Sequence, residues 1–282
     1  MILEIADMIN KTITLSEKYP NCTLTTYVCD NDPFMKMPPR RAMIVCPGGG
    51  YRMLAPHEGE PIVRQYLAAE MNVYLLHYTL NEEAVDYAPL IQAALAIKYV
   101  RENAKEHNTD PEKIFICGFS AGGHLAASSG ILWNSAPVRA ALGIDEGRAP
   151  EGINRPNGMV LCYPVISGGE FRHKGSFCKL TGKDDPTDED REPFWLEHHI
   201  DSTTPPVFVW HTNTDRSVPI QNSIILMGAL AANKVPFEAH IYPEGVHGLS
   251  LGTVETSCQN PDNIVEHLQT WMGLSIRWIK TM

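Results

Sequence analysis

The heptapeptide Gly118-Phe119-Ser120-Ala121-Gly122-Gly123-His124 limits the possible folds of this chain more than any other stretch. It follows the apolar run Ile114-Phe115-Ile116-Cys117 and leads into a helical pattern over Gly122–Leu132. Glycines two residues before and after a serine, between a strand and a helix, mark a turn so tight that a Cβ at either flank would meet neighbouring backbone. Such a turn holds Ser120 exposed in a sparsely populated backbone conformation. The helix that follows aims its first amides, and the positive end of its dipole, at any negative charge that develops there. The pattern therefore predicts a nucleophilic serine at the junction of a strand and a helix.

The rest of the chain repeats the same alternation. Apolar runs at Cys22–Val28, Ala42–Cys46, Val73–Tyr78, Ile114–Cys117, Met159–Tyr163, Val207–His211 and Glu238–Tyr242 read as strands. Between them, Gly59–Glu70, Pro89–Lys105, Gly122–Leu132, Ile220–Asn233 and Ile264–Ile279 read as helices, with Asp110-Pro111 as a turn into the central strand. This rhythm is that of a mostly parallel sheet covered on both faces, an α/β architecture. Runs such as Met43-Ile44-Val45 and Val207-Phe208-Val209-Trp210 are continuously apolar, as strands buried on both sides must be. Periodicity lapses from Ile166 to Thr204, where a polar run, Gly182–Asp190, is flanked by Phe177, Phe194, Trp195 and Leu196. Loops of that length in a compact domain tend to cover a functional site. The expected organisation is one domain over 1–282 with a small cap inserted at about 166–204.

Charge and cysteine usage narrow the function. A formal net charge of −10 argues against nucleic acid, which needs a clustered basic surface, and disfavours anionic membranes, so a neutral small molecule fits best. The N-terminus has no basic segment ahead of an apolar run, and no stretch approaches the ~18 apolar residues of a membrane span. The seven cysteines include no Cys-x-x-Cys pair, and Cys46, Cys117 and Cys162 end apolar runs as small buried hydrophobes do. These features point to the cytoplasm and to chemistry with no metal or cofactor. Oligomerisation stays open.

Two further elements complete the expected chemistry. Three consecutive glycines are costly to order, so Pro47-Gly48-Gly49-Gly50-Tyr51 predicts a loop whose amides approach a ligand closely. Amides of Gly49 and Gly50 would face that of Ala121 to form an oxyanion hole. A serine hydroxyl needs an imidazole to take its proton and an acid to orient that imidazole. Asp215 follows the strand Val207–His211 through Thr212-Asn213-Thr214, at the carboxyl edge where open α/β sheets gather ligands. Asp184, Asp185 and Asp201 lie instead in the insertion or ahead of the strand. Among the histidines, His247 sits between glycines in Pro243-Glu244-Gly245-Val246-His247-Gly248, after the last strand. His211 and His240 read as core histidines, His124 as locally bonded on the serine helix, and His57 as able to reach the site mouth. Tyr51, Phe194 and Trp195 are expected to contact substrate.

Taken in order, Pro-Gly-Gly-Gly-Tyr, Gly-Phe-Ser-Ala-Gly-Gly-His-Leu-Ala, Trp-His-Thr-x-x-Asp-x-x-Val-Pro and Pro-Glu-Gly-x-His-Gly-Leu-Ser-Leu resemble bacterial esterases of the hormone-sensitive-lipase-like branch. The resemblance is closest to acetyl xylan esterase and feruloyl esterase-like proteins, and runs from about Arg41 to the C-terminus. It implies the α/β-hydrolase fold and a serine carboxylic-ester hydrolase that removes acetyl groups from sugars. It also implies catalytic roles for Ser120, Asp215 and His247, and oxyanion roles for Gly49, Gly50 and Ala121. Pro47 departs from the histidine that many relatives carry there, and Gly182–Asp190 has no counterpart in the pattern. An arylformamidase-type amidase, a peptidase and a non-catalytic binding protein on the same scaffold are the alternatives.

Overall fold

The computed structural model describes residues 8–29, 31, 34 and 36–282. Its centre is an eight-stranded sheet: β1 (Ile9–Thr14), β2 (Thr23–Val28), β3 (Arg40–Cys46), β4 (Asn72–His77), β5 (Thr109–Phe119), β6 (Gly158–Cys162), β7 (Val207–Thr212) and β8 (Phe237–Tyr242). The spatial order is β1-β2-β4-β3-β5-β6-β7-β8, parallel from β4 through β8, with β1 and β2 joined antiparallel at one edge. Alternation along each strand separates two cores. Ile44, Ile116, Leu161 and Val209 face one way, against Leu90, Ala94 and Ile97 of α2 (Ala88–Glu102), Leu125 of α3 (Ser120–Ile131) and Leu226 of α7 (Gln221–Ala232). Val45, Phe115, Val160 and Phe208 face the other way, against Ile62 and Tyr66 of α1 (Glu60–Ala68) and Trp271 and Trp278 of α8 (Thr270–Thr281). Two helical pieces, α4 (Ala136–Leu142) and the α5–α6 pair described below, complete that order.

Several expectations shift for physical reasons. The β1 edge was invisible in sequence because its outer residues are polar; Thr12 and Thr25 hydroxyls lie 2.9 Å apart across the pair. Asp110-Pro111 sits inside β5, in residues that bulge out where Arg40 pairs with Thr109 and Ala42 with Ile114. The last helix begins at Thr270 rather than Ile264, because the Val265 amide donates to Gly252 O (3.0 Å) instead of to a helical carbonyl. His240 is no core histidine: β8 is an edge strand, and the ring is half-buried and bonded to Glu238 (2.8 Å).

Residues 166–204 fold into α5 (Lys174–Thr181), α6 (Asp188–Arg191) and short 3-10 turns. Thr187 and Asp190 form a reciprocal capping box, so the polar run starts a helix. Phe177, Leu180, Phe194, Leu196 and Ile200 join the core on the α2–α3 side. All twelve residues of α3 are consequently buried, in keeping with the Ser, Ala and Gly that make up most of it. His124 is the tie, and it is not local. Its Nδ1 accepts from the Tyr51 hydroxyl (2.9 Å) and its Nε2 donates to Phe194 O (2.9 Å).

Burial pushes His124 down to about 4 from 6.5, so the ring is neutral when folded. The unfolded chain takes up a proton there between those values, and folding stability falls as pH drops through that window. The full contribution is about 3 kcal/mol. Melting temperature measured from pH 7 to 4.5 should fall in the wild type, and His124→Gln should flatten that slope. Equal slopes would assign the acid sensitivity to other groups.

Candidate active site

The strand-to-helix turn is built as the glycines require. Ser120 has φ 52, in the left-handed region. A Cβ on Gly118 would lie 2.0 Å from Gly122 O, and one on Gly122 would lie 2.2 Å from Cys46 O and 2.4 Å from Pro47 O. No side chain fits at either position, because β3 and the glycine loop press directly on the turn. Gly48 belongs to the same contact: its Cβ would meet Phe119 O at 2.6 Å.

Ser120, His247 and Asp215, 127 and 32 residues apart in sequence, form a continuous relay. His247 Nε2 lies 2.7 Å from Ser120 Oγ, and His247 Nδ1 lies 2.6 Å from Asp215 Oδ2. The other oxygen, Oδ1, accepts from the Ser217 (2.9 Å) and Val218 (3.0 Å) amides beyond the end of β7, while Oδ2 faces His247 and, at 3.4 Å, His211 Nε2. Burial pushes the Asp215 carboxyl up. Hydrogen bonds from His211, His247 and the Val218 amide outweigh that push and hold it well below the usual carboxylate range. His211 is fully buried and satisfied by Ser223 Oγ and Val218 O, as a core histidine should be.

The amides of Gly49, Gly50 and Ala121 donate to no protein acceptor among the described residues. Gly49 (φ 125) and Gly50 (φ 66) adopt conformations that favour glycine, and a Cβ on Gly49 would strike Met53 O at 2.1 Å. Gly48 differs from its neighbours, since its amide donates to Glu58 Oε2 (2.7 Å).

Glu58 escaped the sequence analysis, and nothing in Pro56-His57-Glu58-Gly59 distinguishes it there. It is 2% exposed. Its Oε1 accepts from the Tyr163 hydroxyl (2.7 Å), which itself accepts from the Ser250 amide (3.0 Å). The Tyr163 ring packs edge-on against His247, centroids 5.1 Å apart. His57 donates from Nε2 to Gly248 O (3.0 Å), and Ser250 Oγ donates to His57 O (2.6 Å). One short turn therefore ties the glycine loop to the loop that carries His247. His57 braces that loop instead of opening onto a site mouth.

The three expected substrate contacts are placed otherwise. Tyr51 is buried, its ring against Tyr78 and its hydroxyl on His124. Phe194 is buried against Tyr87. Trp195 lies over Gly168 and Gly169, stacked on His198 (4.5 Å) and bonded to Glu197. Tyr51 and Phe194 are thus spent on the core, and Trp195 on packing within the 166–204 segment. The Asp201 carboxylate accepts from the Thr203 amide and that of Asp185 pairs with Lys174, while Asp184 accepts from the Cys178 thiol only at its backbone carbonyl; among the described residues none of the three carboxylates bonds His247. Among the described residues, no group of three or more His, Cys, Asp or Glu side chains could hold a metal ion. A concavity of about 950 Å³ runs beside α1 and the outer strands; it touches Pro47 and His57 but is not lined by Ser120, Asp215 or His247.

Glu58→Gln tests the brace. An amide cannot accept from both Gly48 and Tyr163, and the Tyr163 hydroxyl already accepts from Ser250, so one buried donor is left unpaired. Displacing the glycine loop by a fraction of an ångström should lower kcat about 10-fold to 10²-fold with KM nearly unchanged. Steady-state kinetics on a short acyl ester would check this, and an effect on KM alone would make Glu58 a substrate-binding residue.

Comparison with known proteins agrees with this architecture. The BD-FAE family profile matches residues 32–147, and that of the prolyl oligopeptidase family matches residues 181–274. The chain is 36% identical over 222 residues to endo-1,4-beta-xylanase B of Butyrivibrio fibrisolvens, covering 77% of this chain and 33% of that one. It is 30% identical over 242 residues to acetylxylan esterase of Xylanibacter ruminicola, covering 83% and 46%. It thus spans a third to a half of the length of these curated relatives. The crystal structure of an acetyl ester-xyloside bifunctional hydrolase from Caldicellulosiruptor lactoaceticus superposes with a TM-score of 0.79 at 34% identity, over 96% of both chains. The carboxylesterase Cest-2923 from Lactobacillus plantarum gives 0.80 at 25% identity, over 98% of this chain and 97% of that one. With the mostly parallel sheet and the strand-serine-helix turn already in place, this likeness over nearly the whole length puts the chain in the α/β-hydrolase family, in its acetyl xylan esterase-like branch of serine hydrolases.

Proposed function

We propose that the protein is a serine carboxylic-ester hydrolase that removes acetyl and other short acyl groups from small carbohydrates such as acetylated xylo-oligosaccharides. The observation that carries the reading is the relay Ser120–His247–Asp215 beside three uncommitted backbone amides. In this reading Ser120 Oγ attacks the ester carbonyl as His247 Nε2 takes its proton, and Asp215 holds the imidazole with Nδ1 protonated. The oxyanion of the tetrahedral intermediate accepts from the amides of Gly49, Gly50 and Ala121. Collapse breaks the bond to the alcohol, which leaves with the proton from His247 and an acyl-serine behind. Water then repeats the sequence, giving its proton to His247, and releases the acid.

Three observations favour a neutral, sugar-derived alcohol. The formal charge of −10 disfavours anionic substrates. Relatives of this chain include an acetylxylan esterase and an acetyl ester-xyloside hydrolase. The 166–204 segment, which we read as a cap, consists of short helices and turns with a polar stretch at 182–190 and contains no long apolar helix to cover a fatty chain.

Ser120→Ala and His247→Ala should each lower turnover by about 10⁴ or more, and the double variant should be little worse, since the pair acts as a unit. Near-normal activity in His247→Ala would move the base role elsewhere. Gly49→Ala should reduce kcat by about 10²–10³, the loss expected for one misplaced oxyanion donor. Acetate release from acetylated xylo-oligosaccharides, measured beside hydrolysis of an octanoyl ester, tests the substrate class. Strong octanoyl turnover with negligible acetate would move the protein to lipase-like substrates.

A further inference from the structure

His173 plays no part in the relay or the brace, yet it stands at the site. A Cβ built on Gly50 would lie 3.5 Å from His173 Cε1 and 3.7 Å from Arg52 Nε, so both side chains flank Gly50, His173 from the 166–204 segment and Arg52 from the loop itself. The ring sits within electrostatic reach of both His247 and Asp215. His173 is the residue that caps α5: its Nδ1 accepts from the Ser176 amide (3.3 Å) and lies 2.8 Å from Ser176 Oγ. An Nδ1 that accepts from a backbone amide carries no hydrogen, so in the neutral ring the hydrogen is on Nε2. Burial, with His247 and Arg52 adding to it, lowers the His173 pKa and favours that neutral ring. No described residue accepts from Nε2, and no described carboxylate pairs with Arg52.

We infer that His173 is a specificity-determining residue of this site, its Nε2–H donating to an oxygen in the alcohol portion of a hydroxyl-rich ester. The inference rests on the esterase reading and deepens it. An acetyl group has one carbonyl oxygen, and the amides of Gly49, Gly50 and Ala121 already serve it, so a further donor beside Gly50 finds an acceptor only on the alcohol. The donors flanking Gly50, an imidazole N–H and a guanidinium, suit the hydroxyl and ring oxygens of a sugar and offer nothing to a hydrocarbon chain. The rival role for His173 is that of a helix cap alone.

Two substitutions separate these roles. In His173→Asn the side-chain oxygen replaces Nδ1 as the cap acceptor, and the Nε2 donor is gone. In His173→Gln an amide N–H is restored near the Nε2 position while the cap is weakened. Acetylated xylobiose and phenyl acetate, whose leaving group has no acceptor besides the ester oxygen, are compared by kcat/KM in the wild type and both variants. His173→Asn should lose about 10-fold on the sugar ester, near the top of the range of one neutral hydrogen bond, with phenyl acetate held within about 2-fold. His173→Gln should recover part of the loss. Unchanged preference in His173→Asn, or equal losses on both esters, would overturn the inference and leave His173 a cap. A wild type that cleaves phenyl acetate but not the sugar ester would sink the carbohydrate reading itself, and the alcohol-side contact with it.

Discussion

The close approach of the Pro47–Gly50 loop to the Ser120 turn is the contact on which the rest of the molecule depends. Backbone oxygens of Cys46, Pro47, Phe119 and Gly122 lie where Cβ atoms of Gly48, Gly118 and Gly122 would be. This is possible only because β3 and β5 are parallel neighbours in register, Cys46 opposite Gly118, so that both strands end at the same level. A serine forced to φ 52 costs of order 1–3 kcal/mol, which the surrounding packing must hold in place. The fully buried α3 supplies that packing: small residues let it sit between the sheet and the 166–204 segment, and Ser128 and Ser129 return their hydroxyls to carbonyls one turn back.

Two buried carboxylates then organise the loops at the sheet edge, and their surroundings give them different tasks. Asp215 has one oxygen held by backbone amides and the other turned to His247, with His211 behind it, so it orients a ring. Glu58 has both oxygens committed, to Gly48 and Tyr163, so it fixes distance between loops. In a low-dielectric interior each such bond is stronger than in water, and a missing one is correspondingly costly. The histidines divide in the same way. His211 and His124 are closed on both nitrogens by protein groups; His247 bonds only the acid and the serine; His173 keeps one nitrogen open.

The 166–204 segment shows how a stretch without periodicity can still be ordered. Its apolar residues are too widely spaced to pattern one helix, yet Phe177, Phe194 and Leu196 each reach the α2–α3 core. Asn222 on α7 fastens its beginning, accepting from the Ile166 and Ser167 amides and donating to Phe171 O. Buried Arg191 does the same from within, donating to Gly168 O (2.8 Å) and to Pro186 O. These are single side-chain anchors, and such anchors leave no repeating trace.

What the sequence by itself determined follows from short-range physics. The continuous apolar runs required a doubly covered parallel sheet, and the Gly-x-Ser-x-Gly turn after a strand required the tight junction at Ser120. The order of Ser120, Asp215 and His247 at strand ends singled out three residues that the fold then brings within hydrogen-bond reach. Tertiary structure alone decided which polar side chains share a buried bond across long separations. Glu58 is 105 residues from Tyr163, and His124 is 70 from Phe194. It also decided that Tyr51 and Phe194 pack inward and that Trp195 lies over Gly168 and Gly169, because an aromatic ring in a loop has the same local signature whether it meets substrate or protein. A hydrogen-bond partner depends on where two distant chain segments end up in space, and no local pattern of residues encodes that.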